Sequence, residues 1–425
     1  MEADTAPSKA NIISAIFLVG GTSIGGGMLA LPVATGISGF FPSTLAMIFC
    51  WVAMTCTALL LLEASLWMEE GAHMITIATK LLGLPGKAIA WFLFLFISYC
   101  SIVAYTAAGG LQISDALNGL FGWQLGKVTG CIIFILFFGF IVDLGTQLVG
   151  RINAILFIAM IVAYFALVGM GISEVKPHLL YENMNWSYSL MAFPLLLTSF
   201  SFQTMVPSLT PYLKRHAKSL RIAILGGTTI ALIVYLIWQW LVLGIIPVHG
   251  TTGLAMALAK GEPATRYLRD IVTNPYLSMI AEYFAFFALV TSFLGMALGL
   301  FDFLADGLKL RREGFHKIIL GLLVTVPTLF FAVMYERAFL VALESSGGFG
   351  DSILNGILPI IMVWVGRYSM GMQGERLIPG GKPVLTVLLL FFIGMLVLQI
   401  LLMLGFVFSI HDIEAIFEIT NSRGR

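Results

Sequence analysis

Of the 425 residues, 59% are hydrophobic and 11% are charged, whereas soluble domains carry about 25% charged residues. This excludes a water-soluble globular chain. A net charge of +1 without a basic, aromatic-interleaved stripe also excludes a nucleic-acid surface.

The chain opens with the polar stretch MEADTAPSK, and the apolar segment after it is too long for a signal-peptide h-region and has no small-residue cleavage site at its end, so it is expected to be retained. Apolar runs of about 20 residues then recur, each long enough at about 1.5 Å per residue to cross a hydrocarbon core of roughly 30 Å as a helix. They lie near 11–36, 41–68, 87–113, 127–144, 147–171, 188–213, 219–246, 275–305, 316–335, 339–366 and 383–410, eleven in all. The tenth is expected to be interrupted at Glu344 and the SSGGFG stretch. With the N-terminus inside, inner segments hold fifteen Lys and Arg and outer segments eight, including Arg423 and Arg425. The positive-inside tendency therefore predicts a cytoplasmic N-terminus and, after eleven spans, a periplasmic C-terminus. Cys50, Cys56, Cys100 and Cys131 fall within spans and read as small apolar core residues, with no metal-ligand spacing.

The first span contains GGTSIGGGMLALP, residues 20–32, in which Gly20, Gly21, Gly25, Gly26 and Gly27 flank Thr22 and Ser23. One glycine in a helix costs about 1 kcal/mol, and this cluster predicts an unwound turn. In lipid, unpaired backbone groups are tolerated only where they line a cavity inside the protein; close helix packing through small residues is the alternative. The sixth span, MAFPLLLTSFSFQTMVPSLTPYL, sets Pro194, Pro207 and Pro211 around Thr198, Ser199, Phe200, Ser201, Phe202 and Gln203, and its middle is weak as a helix. Breaks in the first and sixth spans suit two inverted repeats of five helices that hold a substrate at the bilayer midplane.

A helix restarting after Gly25, Gly26 and Gly27 aims free N–H groups and a positive dipole end at a carboxylate. Carbonyls ending the half-helices near Ser23 and Ser199 suit an ammonium, so the pair matches a zwitterionic amino acid. Phe200 and Phe202 either stack on an aromatic side chain or are ordinary members of a chain with 33 phenylalanines.

GTSIGGGMLALP, LLLEA around Glu63, SFSFQTMVPSL and TSFLGMALGLFDFLADGL, in that order, resemble the bacterial hydroxy and aromatic amino acid permeases, the tyrosine and tryptophan transporters, over nearly the whole chain. That family resembles the amino acid, polyamine and organocation superfamily. The resemblance implies an all-α integral membrane protein with the leucine-transporter-like 5+5 inverted repeat, discontinuous helices one and six, and an eleventh helix. The corresponding organisation is a tail 1–10, repeats 11–171 and 188–366, the eleventh helix 383–410 and a tail 411–425.

It further implies a proton symporter in the bacterial inner membrane, needing no cofactor and working by alternating access. The substrates implied are L-tyrosine and L-tryptophan, with L-phenylalanine as a further candidate, and the surrounding partner is membrane lipid. The N–H groups of Gly26 and Gly27 would take the carboxylate and the carbonyls of Thr22 and Ser23 the amino group, with Phe200 as gate or stacking partner. Tyr99 and Tyr105 of the third span and Phe286 or Phe287 of the eighth would complete the pocket. Related permeases read FGFH where this chain reads Phe200, Ser201, Phe202 and Gln203, so no histidine titrates here.

The acids in or near spans are proton-carrier candidates. Glu63 is preferred because its span holds no basic residue, the alternative being a structural carboxylic acid; Asp302 either shuttles protons or, with Asp306, pairs with Lys309 or Arg312. The competing coupling ion is sodium, held as in sodium-coupled relatives of the fold by Thr291, Ser292 and the carbonyls of Gly21 and Ile24. A membrane-embedded enzyme is the rival class, but His73, His178, His216, His249, His316 and His411 are scattered, and no HExxH, GxSxG or phosphate loop occurs.

Overall fold

The computed structural model describes residues 7–407 except Gly71 and Thr273. His411, Arg423, Arg425, the tail 411–425 and the last residues of the eleventh predicted span, 408–410, lie outside the described residues, as do residues 1–6.

Span 1 is broken into Lys9–Ser23 and Gly26–Gly36, bent by 48°. Span 2 is Phe40–Leu66, span 3 Met74–Phe121, span 4 Lys127–Asp143 and span 5 Thr146–Gly171. Span 6 covers Ser189–Tyr212 with an interruption, followed by span 7, Ala217–Ile245, and span 8, Pro275–Leu308. Span 9 is Gly314–Met334, span 10 Ala338–Tyr368 and span 11 Gly381–Met403. Among the described residues nine helices are long and apolar enough to cross a membrane, and the bent pair of span 1 makes ten. Span 4, with 17 residues, reaches about 25 Å and completes the predicted set.

Helix ends follow local chemistry. Ser8 accepts from the Asn11 N–H at 3.2 Å at the start of span 1, and Asn274 accepts from Tyr276 at 3.0 Å ahead of Pro275 in span 8. Span 3 is longer than its predicted 87–113, because a rim helix merges with it across a kink at Gly83, where φ is 70°, just before Pro85. Span 10 corrects a second expectation. It is continuous through Glu344 and the SSGGFG stretch, with a wide π-type turn over Ser346–Ile357 taking the place of an interruption.

Burial separates inner from outer helices. Two thirds of the apolar windows of spans 2 and 10 are buried, against 22% for spans 5, 9 and 11. The latter expose Ile155, Ile158, Phe165, Val326 and Leu390, an apolar surface suited to lipid. The first half of span 1 packs along span 7, where a Cβ on Gly20 would come within 3.1 Å of the Gly227 carbonyl, and span 8 packs along span 5.

The charged contacts fall at two rims. At the rim where span 2 ends lie Glu63 with Arg367, Asp143 with Lys317 at 3.2 Å, and Asp302 and Asp306 with Arg312 at 2.9 and 3.1 Å. At the opposite rim Arg266 meets Asp115 at 3.3 Å and Arg269 meets Glu282 at 3.4 Å.

Candidate substrate site

Two interruptions face each other in the middle of the bundle. In span 1 the helix stops at Ser23, Ile24 and Gly25 are extended, and a 3-10 turn from Gly26 to Leu29 leads into Leu31–Gly36. In span 6 the helix stops at Ser199, Phe200 to Phe202 leave helical geometry, and a 3-10 turn at Gln203–Met205 precedes Val206–Tyr212. A Cβ on Gly27 would lie 3.7 Å from Ser199 Oγ, so the breaks are in van der Waals reach.

The expected carboxylate donors are divided. Gly26 N–H already donates to Ser292 Oγ at 2.8 Å, while among the described residues Gly25 and Gly27 N–H donate to no protein acceptor. Ser292, one of the expected sodium ligands, thus sits against the break, and a Cβ on Gly25 would collide with its hydroxyl. Thr291 donates instead to Phe287 and Ala288 carbonyls in its own helix at 2.8 and 3.2 Å. A Cβ on Gly21 would come 2.9 Å from the tip of the Phe157 ring, and Ile24 N–H closes the half-helix onto Gly20 at 3.0 Å.

The expected ammonium acceptors have a partner that sequence reading missed. Tyr235 of span 7, fully buried, places its hydroxyl 2.5 Å from the Ser23 carbonyl and 2.7 Å from the Ser199 carbonyl. One phenol carries one proton, so it satisfies one carbonyl at a time and leaves the other open to an N–H donor. Its ring meets Phe200 edge-on at 5.2 Å. Trp238, one turn further along span 7, donates to the Met28 carbonyl at 2.9 Å and fixes the far side of the break. Gln239, next to Trp238 on span 7, donates to Thr35 and Ser43.

Of the remaining expected residues, Tyr105 is placed at the site: a Cβ on Gly26 would lie 2.6 Å from its ring. Phe200 and Phe202 are each 1% exposed. Ser199 bonds back to Leu195 at 3.0 Å, and Gln203 bridges Phe202 N–H and the Met54 carbonyl at 2.9 and 3.1 Å, a structural role. Thr22 is exposed, bonding back to Leu18 at 2.7 Å and contacting Met205 sulfur at 2.8 Å. Tyr99 donates to Leu323 at 2.7 Å, away from the break. Phe287 stacks on exposed Tyr283, and Phe286 meets Phe138 of span 4. Phe284 of span 8 is buried against Trp238 and Tyr164.

The proton-carrier candidates have structural partners. Glu63 is held bidentately by Arg367, both contacts at 2.6 Å, and accepts the Leu377 N–H at 3.0 Å, with both side chains enclosed. Its own span lacks a base, but span 10 supplies one. Asp302 pairs with Arg312. The buried acid that sequence reading passed over is Asp351 of span 10, which accepts from Ser201 Oγ at the second break at 2.6 Å.

The fold is that of a leucine-transporter-like membrane transporter. The crystal structure of MhsT in complex with L-phenylalanine superposes with a TM-score of 0.61 over 92% of this chain and 99% of that one, at 14% identity. The tryptophan/tyrosine permease family model matches residues 8–399, and the chain belongs to that family of transporters. It is 32% identical to the tryptophan-specific transport protein of Haemophilus influenzae, covering 92% of this chain and 96% of the relative. It is 30% identical to tyrosine-specific transport system 1 of the same organism, covering 91% and 96%.

Proposed function

We propose that this protein imports tyrosine and/or tryptophan across the bacterial inner membrane by proton symport, through alternating access around the two breaks. The observation that carries this reading is the facing pair of interruptions, with free N–H groups at Gly25 and Gly27 and two carbonyls sharing one Tyr235 hydroxyl. This polarity matches an amino acid head group, and Tyr105, Phe200 and Phe202 favour an aromatic side chain beside it. The names of the relatives agree in substrate class. The fifteen-to-eight distribution of basic residues supports a cytoplasmic N-terminus.

Sodium is the second reading, favoured by the seat of Ser292 against Gly25 and Gly26. The test is uptake of labelled tyrosine and tryptophan by sealed vesicles of purified protein under an acid-outside gradient without sodium. Accumulation abolished by a protonophore is expected. Accumulation only when sodium is supplied would replace the proton, and uptake of neither amino acid under either gradient would reject the substrate class.

A further inference from the structure

Asp351 lies in the wide-turned stretch of span 10 and is completely buried. Its Oδ1 accepts from Ser201 Oγ at 2.6 Å and from Asn355 Nδ2 at 2.6 Å, while Ser346 Oγ lies 3.5 Å from Oδ2. Asn355 Nδ2 also reaches Ser201 Oγ at 2.9 Å, closing a triangle of polar groups between span 10 and the second break. Every one of these donors is neutral.

Among the described residues no Lys, Arg or His pairs with Asp351. Span 3, which packs against this stretch, carries Tyr99, Cys100 and Tyr105 in its middle, all neutral weak acids, and its lysines, Lys80 and Lys87, are exposed near its start. The titratable groups of span 2 are Cys50, Cys56 and Glu63, the last bound to Arg367. Span 6 has Tyr212 alone, exposed at its end, and span 11 has Lys382, which sits over the Tyr368 ring at 5.0 Å. Within span 10 the other charged groups are Glu344 and Arg367, the latter bound to Glu63, and Arg337 precedes the span. Asp351 therefore differs from Glu63, Asp302, Asp306 and Asp143, each of which meets an Arg or Lys.

A lone carboxylate so enclosed is held charged only by hydrogen bonds, and a proton is a neutralising partner small enough to enter without rebuilding the packing. Asn355 suits both states. Its Nδ2 donates to the carboxylate, and its Oδ1, without a partner among the described residues, accepts from the protonated acid after an amide flip.

From this we infer that Asp351 is the proton-binding group of the transporter and acts on the substrate site through Ser201. The inference rests on the proton-symport reading above. Ser201 lies in the non-helical turn between Phe200 and Phe202. The charged carboxylate holds the Ser201 hydroxyl and pins that turn. When a hydronium ion gives up a proton to Oδ1, an O–H bond forms as another breaks, the oxygen loses acceptor strength, and the turn is released. Binding at span 10 thereby reaches the backbone that faces the substrate.

The experiment compares wild-type protein, Asp351→Asn and Ser201→Ala in sealed vesicles, measuring acid-driven accumulation of labelled tryptophan and, separately, its exchange without a gradient across a pH series. Asp351→Asn is expected to lose accumulation at least tenfold while exchange stays measurable and no longer varies with pH. Ser201→Ala removes a donor to the charged form, so its half-maximal pH should move to the alkaline side by about one unit, a tenfold change in proton affinity. Wild-type accumulation in Asp351→Asn with an unchanged pH profile would overturn the assignment while leaving proton symport standing. Wild-type protein that responds only to sodium would overturn the symport reading itself. Should Asp351→Asn fail to insert, Ser201→Ala decides: a shifted profile supports the assignment and an unshifted one rejects it.

Discussion

Gly26 shows how much one position can carry. Its N–H meets Ser292 at 2.8 Å and its Cα faces the Tyr105 ring so closely that a Cβ would stand 2.6 Å from a ring carbon. Gly26→Val is expected to abolish substrate binding while leaving membrane insertion intact, checked by binding of labelled tryptophan to purified protein of normal yield; wild-type affinity would dissociate this glycine from the site. Gly25 to Gly27 and Phe200 were legible because clustered glycine and proline have few uses inside an apolar run. Tyr235 and Trp238 were not, since a buried aromatic residue in a chain with 12 tyrosines and 8 tryptophans carries no local mark. Asp351 was hidden because SSGGFG read as an interruption, although Asp351 and Asn355 stand four apart on one helical face.

Span 10 is the element whose character changed most between sequence and structure. Its glycines let backbones approach: a side chain at Gly347 would strike the Pro194 carbonyl and lie 2.6 Å from Thr198 Oγ1, and one at Gly350 would strike Ile97 of span 3. Small residues at membrane helix interfaces permit such contacts, and the π-type turn adjusts the register so that Asp351 meets Ser201. Gly347→Ala is expected to destabilise the protein by about 1–3 kcal/mol through overpacking against backbone. Gly394→Ala, on an exposed part of span 11 with open space around it, should be neutral or slightly stabilising. Thermal unfolding in detergent compares the two, and equal effects would reject close packing as the role of the span 10 glycines.

At the scale of the whole molecule, the enclosed Glu63–Arg367 pair joins span 2, span 10 and the segment before span 11 through Leu377 and Ile378. Removing one member of a buried ion pair strands the other and typically costs about 3–5 kcal/mol, whereas replacing both with apolar residues is often neutral. Arg367→Met alone should therefore lower thermal stability sharply, and the double variant Glu63→Leu with Arg367→Met should recover most of it. The double variant should also retain acid-driven accumulation, measured in the same vesicles; its loss would return Glu63 to the coupling pathway.

The transporter fold, the positions of both breaks and the sites of most spans were readable from the chain alone, because lipid forces each crossing segment to satisfy its own backbone and leaves a long apolar signature. Breaks in that signature stand out for the same reason. Tertiary structure alone decided which groups meet across the bundle: Tyr235 between the Ser23 and Ser199 carbonyls, Arg367 on Glu63, Phe284 on Trp238, and Asp351 on Ser201. Those partners lie 36 to 304 residues apart in the chain, and helix rotation and register, set by packing of side chains from many spans at once, determine which of them face each other.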